Sequence, residues 1–188
     1  MPGYWRDSDA TDAAFDDEGF YIKGDAGKLA HPNAPEQGIV FDGRVSENFK
    51  LSTGTWVNVG ALRLALISPL DPLVSDAVIA GEGRDEAAAL LFSNQAACLA
   101  ELGDLAEASR LEAAIAERLE AYNDSQFGSS TRVSRFAILA EPPSAADGEI
   151  TDKGYLNQRA VLRRRHAIVE QLYASPAAQD VAARESVG

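Results

Sequence analysis

Lys153 and Lys50 stand out among only four lysines in the chain, because each lies close to a turn-forming glycine, Gly154 and Gly54. A lysine set against an anion neutralises charge as it develops in a reaction, and it need not give up a proton to do so. Asp25 offers the complementary chemistry. It follows Gly24 within Lys23-Gly24-Asp25-Ala26-Gly27. An ionised carboxylate only accepts hydrogen bonds, and its two oxygens can take both hydroxyls of a ribose, while glycine lets the backbone come close to a ligand. Taken singly, each segment is an ordinary surface turn or a solvated lysine. Their order carries more: Gly19-Phe20-Tyr21-Ile22-Lys23-Gly24-Asp25, then Phe41-Asp42-Gly43-Arg44 running into Lys50 and Gly54, then Gly148-Glu149-Ile150-Thr151-Asp152-Lys153-Gly154.

In that order the motifs resemble the last part of the adenylate-forming superfamily, which includes acyl-CoA synthetases, luciferases and peptide-synthetase adenylation domains. The similarity runs from Pro2-Gly3-Tyr4-Trp5 to about Tyr173, and residues 49–57 and 150–162 point to the feruloyl-CoA synthase branch. The resemblance implies a catalytic role for Lys153 in adenylation, where an anionic acid meets the α-phosphate of ATP. It gives Lys50 a catalytic role in the thioester-forming orientation. Asp25, Arg44 and Lys153 are implied to bind nucleotide, Ser46 to be the pivot of domain rotation, and Ser52, Thr53 and Gly54 to line the path of coenzyme A. Three positions depart from the common pattern. Lys23 stands where a threonine is usual, Ser46 where Asp or Lys is frequent, and Asp152 where a glycine is usual; the last agrees with the feruloyl branch alone.

The implied activity is that of an ATP-dependent acid–CoA ligase acting on an aromatic carboxylic acid such as ferulate, with ATP/AMP, CoA and Mg2+ as cofactors. Mg2+ and the acid pocket would belong mainly to a large N-terminal domain of which this chain holds only the end, so the missing domain is itself an expected partner. The isolated chain is expected to be inactive. Two alternatives stay open: a truncated or stand-alone helper domain that supplies Lys153 in trans, and a ligase for another acid such as a fatty acid. Met1 falls directly before Pro2-Gly3-Tyr4-Trp5, mid-domain in the family, which favours truncation.

Composition narrows the rest. Hydrophobic residues at 46% and charged residues at 24% are ordinary globular values, against disorder over most of the length. A net charge of −12 argues against nucleic acid, which needs a basic surface. The only basic run, Arg163-Arg164-Arg165, reads as solvated helix surface. One cysteine, Cys98, among apolar neighbours reads as a small buried hydrophobe. No apolar stretch is long enough to cross a bilayer and no signal pattern opens the chain, so a cytoplasmic, membrane-free protein is expected. His31 and His166 lie far apart in sequence, and no metal-ligand spacing occurs, so no metal site is expected.

The elements that must hold these residues follow from pattern. Residues 20–22 and 38–41 read as short strands in a segment too poor in apolar side chains to make a domain alone. Lys50-Leu51 and Thr55-Trp56-Val57 read as a hairpin about Gly54, and residues 62–67 as a short helix. Residues 74–80, 87–92 and 133–139 read as strands. Residues 105–122 form an amphipathic helix with Leu111, Ile115, Leu119 and Tyr122 on one stripe, and residues 156–173 a final helix. The expected class is α+β, with residues 1–43 ending the large domain, 44–173 forming the small mobile domain and 174–188 a tail.

Overall fold

The computed structural model describes residues 3–103 and 108–174, and the chain divides into two compact units, residues 1–46 and 47–188. In the first unit, α1 (Ser8–Asp12) is capped by the Asp7 carboxylate, which accepts from the Ala10 N–H at 2.9 Å. β1 (Asp25–Leu29) then pairs antiparallel with β2 (Ile39–Arg44). The second apolar island thus lies in a strand, but the first does not. Residues 16–20 bend around Asp16, whose Oδ1 accepts from the N–H groups of Glu18 and Phe20. Tyr21 consequently makes only an isolated bridge to Phe15, and the strand forms later, where β2 offers a partner. Core is scarce here. Ala14 is buried while Trp5, Phe20, Ile22 and Ile39 stand exposed.

The second unit begins with the hairpin of β3 (Phe49–Lys50) and β4 (Trp56–Val57). The Asn58 side chain caps α2 (Val59–Leu70) by accepting from the Ala61 N–H, so this helix starts earlier and ends later than the apolar run alone suggested. β5 (Val74–Ala80) and β6 (Ala88–Ser93) pair antiparallel, and β6 pairs parallel with β7 (Arg135–Leu139). Parallel pairing needs a long crossover, here supplied by α3 (Gln95–Leu102) and α4 (Ala108–Asp124). The sequence reading missed α3; its opening is marked by Asn94, which accepts from the Ala97 N–H. The start expected for α4 at residue 105 lies outside the described residues.

Both faces of the sheet are covered, which explains why β5 and β6 read as continuous apolar runs rather than alternating ones. Side chains still alternate by period two. Ala77, Ile79, Ala89 and Leu91 face α2 and α4, where Leu62, Leu66, Ile115 and Leu119 close the core. Val78, Leu90 and Phe92 face the opposite way, against Val161, Ile168 and Leu172. Cys98 is fully buried, and burial pushes its thiol pKa up.

The final helix is broken. α5 (Gln158–Arg164) and α6 (His166–Ala174) meet at Arg165, whose backbone (φ −101°, ψ 23°) leaves the helical region. Leu156, expected inside this helix, instead bridges to Ile150, and Asn157 caps α5 by accepting from the Ala160 N–H. Among the described residues no helix is long and apolar enough to cross a membrane.

Candidate functional site

Lys50, the last residue of β3, directly precedes a turn, and Lys153 lies within a second turn of the same construction. In the first, the Leu51 N–H donates to the Thr55 carbonyl at 2.9 Å and the Gly54 N–H to the Leu51 carbonyl at 2.9 Å. In the second, the Thr151 N–H donates to the Tyr155 carbonyl at 2.8 Å and the Gly154 N–H to the Thr151 carbonyl at 2.8 Å. Both glycines adopt positive φ, +82° for Gly54 and +79° for Gly154, where only glycine avoids a clash between Cβ and carbonyl. Each turn leads within a few residues to an asparagine cap and a helix. The chain uses one local device twice.

The supports beneath the two turns differ. The Gly54 turn is tied by backbone to the β5–β6 connection: the Gly83 N–H donates to the Lys50 carbonyl at 2.9 Å and the Ser52 N–H to the Arg84 carbonyl at 2.8 Å. The Ser52 hydroxyl adds a bond to Asp85. Lys50 is exposed and its ammonium lies 5.1 Å from the centre of the Trp56 ring, a cation–π contact that restrains the side chain. Arg84 in turn pairs with Glu170 and stacks over Tyr173 on α6. Burial pushes the Tyr173 phenol up to about 12, with Glu86 adding to the effect, and its O–H donates to the Glu86 carbonyl.

The Gly154 turn rests on charge. Glu149 is fully buried, yet its carboxylate receives Arg165 Nε at 2.8 Å, Arg165 Nη2 at 3.0 Å and the Ser144 N–H at 2.8 Å. Arg165 is 6% exposed, so the expectation that the arginine run is solvated surface fails at this residue. Its guanidinium also donates to the Pro142 carbonyl and lies 5.2 Å from the centre of the Phe92 ring. The Arg165 hydrogen bond holds the Glu149 carboxyl below the usual range against the opposing effect of burial. Arg164 is exposed and close to Glu141 and Asp147, and its Nη1 also comes within 3.6 Å of the buried Glu149 Oε1. A signal for Arg165 was present in the sequence: it continues the apolar stripe of Val161, Ile168 and Leu172 at helical spacing, the place where a basic residue must find a partner.

In the first unit, Asp25 and Arg44 are direct cross-strand neighbours, and the Val45 N–H donates to the Gly24 carbonyl at 2.9 Å. Both side chains are exposed. Nothing lies within 4 Å of where a side chain at Gly24 would begin, so a sugar could approach Asp25 closely, and the carboxylate suits a diol. Ser46 lies in a single 3-10 turn, Val45–Glu47, at the end of this unit. Among the described residues no three or more His, Cys, Asp or Glu side chains group to hold a metal ion.

A mixed three-stranded sheet with a pair of helices on each face makes a small α+β domain. The chain belongs to the AMP-binding enzyme C-terminal domain family, matched by residues 47–177. A carboxylic acid reductase of Segniliparus rugosus is 27% identical over 175 residues, 93% of this chain and 14% of that protein. The solved A-PCP didomain of that reductase, in complex with AMP, superposes with a TM-score of 0.73 over 92% of this chain at 27% identity. The adenylation domain of a Mycobacterium chelonae carboxylate reductase gives 0.76 over 93% at 23% identity, a likeness of fold. The chain spans 23% and 26% of those two solved chains.

Proposed function

We propose that this chain is the C-terminal part of an enzyme that activates a carboxylic acid with ATP as an acyl-adenylate and then passes the acyl group to a thiol. In this reading residues 1–43 end a large nucleotide-binding domain and contribute Asp25 and, just beyond, Arg44 to the ribose. Residues 44–173 form the small domain, which rotates about Ser46, and the tail follows. The observation that carries the reading is Lys153, exposed at the tip of a firmly based turn in a domain of the AMP-binding enzyme family. There its ammonium meets two anions, the carboxylate that attacks and the α-phosphate attacked, and neutralises charge where it develops.

Lys50 belongs to the second orientation. Rotation brings a different face of the small domain to the reacting centre, so the two lysines act in turn. Ser52, Thr53 and Gly54 then flank the arriving thiol arm, where the missing Cβ of Gly54 leaves room. For the thiol and acid we favour coenzyme A and an aromatic acid such as ferulate, on the strength of residues 49–57 and 150–162. The 27% identity to a carboxylic acid reductase over 175 residues supports a second reading, in which the acyl thioester takes a hydride from a two-electron donor and a proton, leaving as aldehyde and freeing the thiol. Product analysis separates them: a complete enzyme carrying this chain yields acyl-CoA in the first case and an aldehyde in the second.

The 188-residue chain alone should release no pyrophosphate from ATP and ferulate, because positioned chemistry needs groups from both domains; measurable release would overturn the division of labour. In the complete enzyme, Ser46→Pro, which confines φ to one region, should slow acyl transfer to the thiol more than adenylate formation. The same fold-loss in both half-reactions, each single-turnover rate measured against the unsubstituted enzyme, would remove Ser46 as the pivot.

A further inference from the structure

We propose that the buried Glu149–Arg165 pair is the positioning device for Lys153, acting through the base of the turn that carries it. The inference rests on the reading of Lys153 as the adenylation cation. Glu149 is fixed at every polar atom it owns. Its backbone N–H donates to the Ser144 carbonyl at 2.9 Å and its carbonyl accepts from the Asn157 N–H at 2.8 Å, while both carboxylate oxygens are taken by Arg165 and Ser144. Arg165 is the residue at which α5 gives way to α6, and it also grips the Pro142 carbonyl. One ion pair therefore joins a helix junction, the 142–144 segment and Glu149, two residues before the Thr151–Tyr155 turn.

Above this base the bonds climb in sequence. Asn157 closes on Glu149, Leu156 bridges to Ile150, Tyr155 closes on Thr151 through both its carbonyl and its N–H, and Gly154 closes on Thr151. Asp152, Lys153, Gly154 and Tyr155 at the tip are exposed, and all the described support enters from below. Four residues of extended chain reach about 13 Å, so a small tilt at Glu149 moves the ammonium by ångströms. A misplacement of about 1 Å can cost roughly 10²-fold in rate. Stability alone would not call for a charged pair, since apolar side chains of similar volume often hold a fold as well or better. Directional bonds to a carboxylate, two of them from one planar guanidinium, set an angle that apolar packing leaves loose.

Two measurements test the proposal. The first is amide hydrogen exchange in the 188-residue chain. Glu149→Gln and the double variant Glu149→Met/Arg165→Met should speed exchange at Gly154 and Tyr155 by about tenfold or more, while amides of β5 and β6 keep their protection. Should Glu149→Gln fail to fold, the apolar double variant carries the test; wild-type protection at Gly154 in that folded variant would overturn the proposal. The second is a double-mutant cycle on adenylate formation in a complete enzyme carrying this chain. Glu149→Gln should slow the half-reaction by roughly tenfold or more when Lys153 is present and add nothing in a Lys153→Ala background. Equal slowing in both backgrounds would mean the pair acts through general stability and would overturn the positioning role. A wild-type rate for Lys153→Ala would instead remove the lysine reading, with the exchange result standing on its own.

Discussion

The Gly54 and Gly154 turns share a backbone and differ in foundation. One is bonded along its flank to a neighbouring loop, by main-chain groups and one exposed serine; the other stands on a buried carboxylate and guanidinium. Main-chain ties tolerate change of side chain. A buried ion pair does not, because losing one partner strands the other's charge. The same local geometry can thus be held permissively or strictly, and the strict form sits beneath the lysine to which the more demanding electrostatic task is assigned.

The contrast is sharpest in stability. Arg165→Met should cost about 3–5 kcal/mol, the range for stranding one buried charge, whereas Ser52→Ala should cost about 0.5–1.5 kcal/mol, an ordinary hydrogen bond at a surface. Urea unfolding of the chain measures both, and similar midpoints would erase the distinction. The acid limb separates them again. Because the folded Glu149 carboxyl titrates below its usual value of 4.5, its contribution is present above that pH and is lost as pH falls through the lower, folded value. Glu149→Gln should therefore be less stable at neutral pH and show a flatter loss on acidification.

Function gives the next contrast. In a complete enzyme Lys153→Ala should slow adenylate formation by roughly 10²–10³-fold and spare thiol transfer from pre-made adenylate, and Lys50→Ala should show the opposite preference. Single-turnover rates for each half-reaction decide it; parallel losses in both variants would merge the two turns into one role. A last pair of substitutions tests what the turns have in common. Gly54→Ala and Gly154→Ala should each cost about 1–2 kcal/mol from the strain of positive φ, equally at both sites, since each would place its Cβ in open space.

The sheet was legible because two covered faces leave long apolar runs, and the amphipathic stripe of α4 because one of its faces is wet. The turns were legible as glycine positions. What stayed hidden depends on contacts remote in sequence. Glu149 and Arg165 are separated by the whole of α5, and each resembles a surface residue until the other is in place. α3 is short and its cap, Asn94, looks like any loop asparagine. The bend at Asp16 displaced the expected strand because side-chain bonds to nearby N–H groups competed with pairing.

Trp56 sits 60% exposed beside the Lys50 ammonium, and the only other tryptophan, Trp5, is 87% exposed in the other unit. The chain therefore carries its own optical probe at the Gly54 turn. With Trp5 replaced by Phe, the indole emission comes from one place alone, and any event that lifts the ammonium from the ring or shields the ring from water registers as a change in intensity or wavelength. Stopped-flow fluorescence with no label attached then tests the proposal that a thiol arm reaches this turn.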